Sequence, residues 1–327
     1  MKAQFLGISR LGLVLAFLVV TIGAWVRLTD AGLGCPDWPG CYGQWVVPGS
    51  PTEQAEALVT FPERPLNVGK AWREMIHRYL ATGLGLLCMA LAGLAWMNRH
   101  DVTQSTRLPF VLFGVVVFQG ILGMWTVTLL LKPVIVMAHL LGGLTTLGLL
   151  FWLGEWRTSD SSGPFKATYL RPLALAALGV LALQISLGGW TSANYAALAC
   201  PDFPTCQTRW WPPVTDFREG FLPWRGLGID YEGGVLDNPA RVAIHFTHRL
   251  GAIVATLVLG FLGWLMLKRV ELRLDGVALL ATLLLQLVLG ASIVVYGVPL
   301  AVAVAHNGVG ALLLLMVLNA NQRIRHN

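Results

Sequence analysis

Eight long apolar stretches constrain the fold of this chain more than any other feature of its sequence. A helix needs about 20 apolar residues to cross a hydrocarbon layer about 30 Å thick, and each stretch is long enough. The stretches cover residues 9–28, 74–97, 108–128, 134–154, 170–192, 243–267, 275–297 and 300–320. Because lipid leaves no partner for an unpaired backbone group, each is predicted to be helical. Only 12% of the residues are charged, and the predicted fold class is an all-α integral membrane protein with eight transmembrane helices.

The segments between these stretches indicate how the chain is oriented. One set is short and basic, and it contains Lys2, Arg10, Arg99, Arg107, Arg157, Lys166, Arg171, Lys268, Arg269, Arg273, Arg323 and Arg325. Because basic loops stay on the cytoplasmic side, both termini are predicted to be cytoplasmic, in the cytoplasmic (inner) membrane. Two long loops, about 30–72 and 193–241, then lie on the outer side. The first stretch resembles a signal peptide but lacks a small-residue cleavage site, so it is predicted to be retained.

Four of the five cysteines lie in the two outer loops. They form two closely spaced pairs, Cys35 with Cys41 and Cys200 with Cys206. Because the outer side is oxidising, two disulfide bonds are predicted in preference to metal sites. Redox-active thiols stay open as an alternative. Cys88 lies within a stretch and is expected to be inert.

The two halves of the sequence repeat each other. The matched positions are Trp25 with Trp190, Gln119 with Gln286, His139 with His306, and the pair His77-Arg78 with His248-Arg249. Each half holds four stretches, so both halves are predicted to insert in the same direction as two pseudo-symmetric four-helix bundles. The predicted parts are an N-terminal half at 1–157, a cytoplasmic linker at 158–171 and a C-terminal half at 172–327.

Four histidines stand out because burying an ionisable side chain in a membrane is costly. His77, His139, His248 and His306 lie near the outer ends of the second, fourth, sixth and eighth stretches. Paired imidazoles on facing helices are a common way to hold haem iron, and two haem sites near the outer face are predicted. Histidines hydrogen-bonded within a bundle are the alternative, and a zinc or copper centre is a weaker one because nearby carboxylate or thiolate ligands are few.

Charged residues beside the histidines suggest further roles. Arg78 and Arg249 follow two of them directly and are predicted to contact haem propionates, with extension to the membrane surface as the alternative. Glu74 lies three residues before His77, on the same helical face, and its counterpart in the other half is His245. The half with Glu74 is predicted to be the reactive one, and an ion pair of Glu74 with Arg73 or Arg78 is the alternative. For His245, iron ligation, hydrogen bonding to a ligand and packing all stay open.

These motifs resemble the haem A synthase family over nearly the whole chain. They are "GAWVRLTDAGLGCPDWPGC" after the first stretch, "EMIHR" at 74–78, "AHLLGG" at 138–143, "THRLGA" at 247–252 and "AHNGVGALLL" at 305–314. The resemblance implies oxidation of the C8 methyl of haem O to a formyl group by successive hydroxylations, with haem b as cofactor. It also implies outer-loop disulfides.

The resemblance assigns a task to each half of the chain. His248 and His306 would ligate haem b in the C-terminal half. His77 and His139 would line or ligate the haem O site in the N-terminal half, where Glu74 would be required for turnover. The expected partners are haem O as substrate, haem O synthase, an electron-transfer protein and the lipid bilayer, with a homo-oligomer left open and no nucleic acid.

Two other functions fit parts of the pattern. A dihaem electron carrier linked to quinol would need two equivalent bis-histidine sites, and a haem transporter would favour helices broken near the bilayer midplane. The different residues at the matched positions of Glu74 and His245 favour the enzyme.

Overall fold

The computed structural model describes residues 2–101, 105–155 and 168–325. Within these residues the chain is helical, and no β-strand forms beyond two isolated backbone bridges in the loops. The helices are α1 (Lys2–Leu28), α2 (Pro51–Thr60), α3 (Val68–Met97), α4 (Arg107–Thr128), α5 (Pro133–Glu155), α6 (Arg171–Ala193), α7 (Phe217–Gly220), α8 (Asn238–Leu267), α9 (Arg273–Val295) and α10 (Leu300–Arg325). Short 3-10 turns precede α6 and α9.

Eight of these helices are long and apolar enough to cross a membrane. They are α1, α3, α4, α5, α6, α8, α9 and α10. Large apolar side chains lie on their outer surfaces; for example, Leu183 is 63%, Leu257 67% and Leu284 63% exposed. Continuous apolar surface of this kind is expected where helices face lipid. The predicted all-α fold with eight transmembrane helices is confirmed.

Three of the helices begin clearly earlier than predicted. One is α1, which begins at Lys2 and not at residue 9, and the other two follow the outer loops. α3 begins at Val68 and α8 at Asn238, whereas their apolar stretches begin at residues 74 and 243. The added turns are polar; at the start of α3 the Asn67 side chain caps the helix by accepting from the backbone N–H of Lys70 at 3.0 Å. Because hydropathy detects only the apolar part of a helix, it places such starts too late. Glu74 therefore lies in the second turn of α3 and not at its first residue.

The chain divides into two compact units. The first comprises Met1–Trp156 and Pro223–Val235, and the second comprises Arg157–Leu222 and Leu236–Asn327. In the first unit α1 and α4 each pack against both α3 and α5, so α3 and α5 lie diagonally across the bundle. In the second unit α6 and α9 each pack against both α8 and α10. Most of the linker predicted at 158–171 lies outside the described residues, which resume at Thr168.

Residues 223–235, called the strap below, pack into the first unit although they follow α6 in the chain. The Tyr231 backbone N–H donates to the Leu130 carbonyl at 3.1 Å. The Tyr231 side chain is buried against three apolar residues, Leu33, Val127 and Leu131. Ion pairs add to this packing, with Glu232 bound by Arg64 at 2.9 Å and by Lys70 at 2.8 Å, and Asp230 bound by Arg64. The predicted division of the chain at the linker 158–171 assigned the strap to the C-terminal half. Nothing in the sequence indicates that it packs in the first unit, because a loop without hydrophobic periodicity does not reveal where it packs.

Candidate functional site

In the first unit two histidines from diagonal helices meet in the bundle. His77 is on α3 and His139 on α5, and their ring centroids are 6.4 Å apart with an interplanar angle of 83°. Two imidazoles that bind one metal ion from opposite sides have ring centres roughly 6 Å apart, since metal–nitrogen bonds are about 2 Å long. The separation therefore fits a metal ion held between the two rings.

Each of these rings lies against a glycine of a neighbouring helix. A Cβ added at Gly23 on α1 would lie 3.0 Å from Cε1 of His77, and one at Gly123 on α4 would lie 3.5 Å from Cε1 of His139. The second unit repeats this arrangement. There the distances are 3.2 Å from Gly188 on α6 to His248 on α8, and 3.1 Å from Gly290 on α9 to His306 on α10. Small residues thus give all four imidazoles room beside the adjacent backbone.

Glutamines lie beside three of the histidines. The Gln119 amide donates to the His139 carbonyl at 2.7 Å. In the second unit Gln184 Nε2 is 3.1 Å from His248 Nδ1 and donates to the His248 carbonyl at 3.0 Å. Gln286 Nε2 is 3.3 Å from His306 Nε2. Such amides can fix the tautomer and orientation of a ligating imidazole.

Several polar atoms at these histidines are buried without a hydrogen-bond partner in the part of the chain that the structure describes. They are Nδ1 of His77, His139 and His306, and Oε1 of Gln119, Gln184 and Gln286. Buried orphan groups are uncommon in folded proteins and call for a ligand or another explanation. Together with the glycines, and in the first unit with the 6.4 Å ring separation, they fit a porphyrin held in each unit.

A bare metal ion fits these residues less well. Nowhere in residues 2–101, 105–155 and 168–325 do three His, Cys, Asp or Glu side chains meet in a group able to hold one. A zinc ion takes four ligands, or three with a water, whereas a haem iron needs one or two protein ligands because the macrocycle supplies the rest. Paired histidines therefore favour haem over zinc.

Glu74 is buried, with 4% of its surface exposed, and it holds the first disulfide loop. Its Oε2 accepts from the backbone N–H of Cys35 at 2.9 Å, and its Oε1 pairs with Arg78 at 2.5 Å. Arg78 also donates to three loop carbonyls, at Asp37, Pro39 and Gly40. The ion pair considered for Glu74 is thus present, and both residues tie the loop to α3.

His245 occupies the corresponding place in the second unit. It is buried, and its Nδ1 lies 3.3 Å from the Cys200 backbone nitrogen, while its Nε2 lies 3.2 Å from Arg249 Nε. A neutral imidazole has only one accepting nitrogen, so it can accept one of these two hydrogen bonds, whereas the Glu74 carboxylate accepts both of its own. The sequence left His245 without a role; the structure gives it the anchoring position of the second disulfide loop.

The two arginines predicted to bind propionates are used by their own loops. Arg249 donates to the carbonyls of Cys200, Asp202 and Thr205, much as Arg78 binds the carbonyls of the first loop. A guanidinium has five N–H donors, and most of those of Arg249 are engaged here. A propionate contact for either arginine stays a prediction.

Both disulfide loops have the same internal structure, and both predicted disulfides are formed, Cys35–Cys41 and Cys200–Cys206. An aspartate closes each loop. Asp37 accepts from the backbone N–H groups of Tyr42 and Gly43, and Asp202 accepts from those of Gln207 and Thr208. The hydrogen bond from the Thr205 hydroxyl, and to a smaller extent those from these N–H groups, hold the pKa of Asp202 below its usual range. Cys88 is buried and forms no disulfide.

Comparison with known proteins adds to this geometry. The COX15-CtaA family, described as cytochrome oxidase assembly protein, matches residues 8–318. A protein of Shewanella oneidensis named Heme A synthase is 44% identical over 330 residues, which are 99% of this chain and 97% of that protein. Proteins of the same name are 29% identical in Rhizorhabdus wittichii, over 93% of this chain and 89% of theirs, and 25% identical in Halalkalibacterium halodurans, over 97% of both.

Proposed function

Because the chain belongs to the COX15-CtaA family of cytochrome oxidase assembly proteins, we propose that it is a membrane oxidoreductase that converts haem O to haem A. The observation that carries this proposal is the 44% identity to a heme A synthase over 99% of the chain. The product would serve terminal oxidases, in keeping with the family's role in oxidase assembly. The paired histidines of both units lend support, since the reaction needs a site for a porphyrin substrate and one for a porphyrin cofactor.

The reaction turns the C8 methyl of haem O into a formyl group. This change removes four electrons, in two successive hydroxylations, and the geminal diol that results loses water to give the aldehyde. Amino-acid side chains do not carry out such oxidations by themselves. The protein's contribution is therefore to bind and orient the methyl group and to exclude competing reactions.

The second unit is proposed to bind the cofactor. His248 and His306 would hold haem b, which when bound supplies the redox chemistry that the side chains lack. Gln184 lies beside this site, because its amide nitrogen is 3.1 Å from Nδ1 of His248 and donates to the His248 carbonyl, and these contacts fix the position of the ring. Gly188 and Gly290 leave room for both rings beside the helix backbones.

The first unit is proposed to bind haem O between His77 and His139. The carboxylate that distinguishes this unit, Glu74, lies one turn from His77 toward the disulfide loop. Each carboxylate oxygen has two accepting positions, so Glu74 keeps capacity for a proton while it binds Cys35 and Arg78. Glu74 would take up a proton released as the methyl group is oxidised.

The finer setting is also part of the proposal. The chain would lie in the cytoplasmic membrane with both termini inside and both porphyrin sites near the outer face, as the basic short loops favour. Haem O synthase would supply the substrate, and an electron-transfer partner would accept the electrons. A homo-oligomer is compatible with this setting.

The test is analysis of the haems extracted from cells. Cells that express this chain with a haem O synthase are compared with cells that express the synthase alone, by chromatography and mass spectrometry. Haem A is expected only when the chain is present. Haem O that persists unchanged in both cultures would contradict the proposal.

A dihaem electron carrier is the second candidate, and the likeness of the two histidine pairs favours it. Each unit has a histidine pair flanked by glycines, as two equivalent bis-histidine haems would require. In the same experiment this function predicts that haem O is unchanged. The purified protein would then hold two b-type haems, each with the same bis-histidine ligation.

A further inference from the structure

Cations are numerous at the end of the first unit that carries its disulfide loop, and most have a polar partner. Arg27 pairs with Asp30, Arg64 with Asp230 and Glu232, Lys70 with Glu232, Arg78 with Glu74, and Lys132 with the Gly226 carbonyl. Lys132 also lies over the Trp224 ring at 3.6 Å. Their charges are therefore balanced or bound within the protein itself.

Arg73 is different. Its guanidinium carbon lies 5.7 Å from the centre of the Trp25 ring on α1, and the side chain is partly buried. Within the described ranges, no carboxylate or carbonyl accepts a hydrogen bond from it, and its neighbour Glu74 is already bound by Arg78 and Cys35. A guanidinium has five N–H groups, and leaving them without acceptors in a partly buried place is costly.

The position of Arg73 relates it to the histidine site. It precedes His77 by four residues and so shares its face of α3, about 6 Å nearer the disulfide loop. Helical side chains lean toward the N-terminus of their helix, which directs this one toward the same end. Trp25, which lies under the guanidinium, is two residues from Gly23, the glycine that packs on the His77 ring.

The second unit has no charge at this place. Ile244 precedes His248 by four residues, and it is fully buried. A guanidinium four residues before the histidine thus belongs only to the unit that also carries Glu74; Arg241, whose buried Nε also lacks a partner in the described residues, lies seven residues before His248. A charge at this position in one unit alone points to the ligand that only this unit would bind.

We propose that Arg73 binds a carboxylate of the porphyrin held at His77, namely a propionate of the haem substrate. This proposal rests on the proposed function, which places the substrate in the first unit. A guanidinium stacked on an indole is weakly hydrated and presents parallel N–H groups that match a carboxylate. Arg73 would therefore hold the substrate by its acidic edge, the role that the sequence alone suggested for Arg78.

The experiment is an absorption titration of the purified full-length protein in detergent, with haem O and with its dimethyl ester, in which both propionates are blocked. The variants are Arg73→Gln and Arg73→Lys, and His77→Ala defines the share of binding that belongs to the first unit. Arg99→Gln is the matched control, because the Arg99 guanidinium lies 5.0 Å from the Trp96 ring at the other end of α3.

For haem O, Arg73→Gln is expected to raise the Kd of the first site by about 10- to 100-fold, the range that a hydrogen bond to a charged group supplies. Arg73→Lys should retain part of the affinity, and Arg99→Gln should retain all of it. The ester should bind wild type and Arg73→Gln with the same Kd, since it has no carboxylate to lose.

Two results would overturn the proposal. If Arg73→Gln binds haem O as tightly as wild type does, Arg73 does not hold the substrate. If it weakens haem O and the ester equally, the residue supports only the fold. Failure of the proposed function gives a different result. If the first unit does not bind haem O, wild type and His77→Ala bind it with the same affinity, and Arg73 then has no substrate to hold.

Discussion

Replacing Glu74 by histidine would copy into the first unit the side chain that the second unit carries at the same place. His245 holds the second disulfide loop through a ring nitrogen near Cys200, as Glu74 holds the first loop through its carboxylate near Cys35. The Glu74→His variant should therefore keep the loop in place while it removes the carboxylate. Glu74→Ala removes both the carboxylate and the contact that holds the loop. Comparing the two variants therefore separates the structural role of Glu74 from its role in turnover.

The structure sets the expected sizes of the two effects. In Glu74→Ala the partly buried Arg78 loses its charge partner, and breaking a largely buried ion pair from one side costs about 3–5 kcal/mol. In Glu74→His one acceptor is restored, so the loss is about one hydrogen bond to a charged group, about 1.5–3 kcal/mol. We expect the thermal unfolding midpoint of the purified protein to fall about twice as far in the alanine variant as in the histidine variant.

The functional assay is conversion of haem O to haem A in cells that also express haem O synthase. Both Glu74 variants should lose conversion, although the histidine variant stays folded and binds haem. His245→Glu is the control, because it changes the matched residue of the other unit and should leave conversion in place. Near wild-type haem A production by Glu74→His would refute the idea that the carboxylate itself takes part in turnover.

Three further predictions concern other parts of the molecule. Gly188→Val should weaken haem retention by the second unit, seen as a smaller Soret band per protein, because even a Cβ added at this position would lie only 3.2 Å from Cε1 of His248. The second disulfide loop should open in acid: since the pKa of Asp202 is lowered in the folded state, its stabilisation is present above its unfolded pKa of about 3.9 and is lost as the pH falls through the folded value. Hydrogen exchange of residues 200–209 measures this, and Asp202→Asn should abolish the pH dependence. Glu232→Gln should loosen the strap by about 1 kcal/mol, because it weakens two partly exposed ion pairs, and should raise its rate of proteolysis; an unchanged rate would mean that apolar packing alone holds the strap.

The transmembrane fold could be predicted because its cause is local. Apolar length alone predicts a helix in lipid, so the eight spans were found, and the cysteine spacing in outer loops was enough for both disulfides. The starts of α3 and α8 were placed too late for a related reason. Their first turns are polar and gain their partners from loops, which hydropathy does not detect.

The surroundings of the histidines were harder to foresee. Gly23 and Gly188 have the same spacing as Trp25 and Trp190, so the repeat did hold a signal for the glycines behind two of the rings. Gln184 gave no such signal, because Val19 stands at the matching place in the first half. The hydrogen bonds of Arg78 could not be predicted either, since its acceptors are loop carbonyls that have no sequence signature.

The strap has a consequence for how the chain is made. Its residues, 223–235, emerge from the ribosome only after α6, yet Tyr231 covers apolar side chains at Leu33, Val127 and Leu131. When α1 to α5 have entered the membrane, this patch is still bare, and domains usually fold in the order of their synthesis. We therefore expect the first half of the nascent chain to stay incompletely packed until the strap, a segment that follows α6, has been synthesised. If the gene were divided at the linker, the polypeptide of the first half would lack the strap. Its apolar patch would stay uncovered, and the polypeptide would be prone to misassembly.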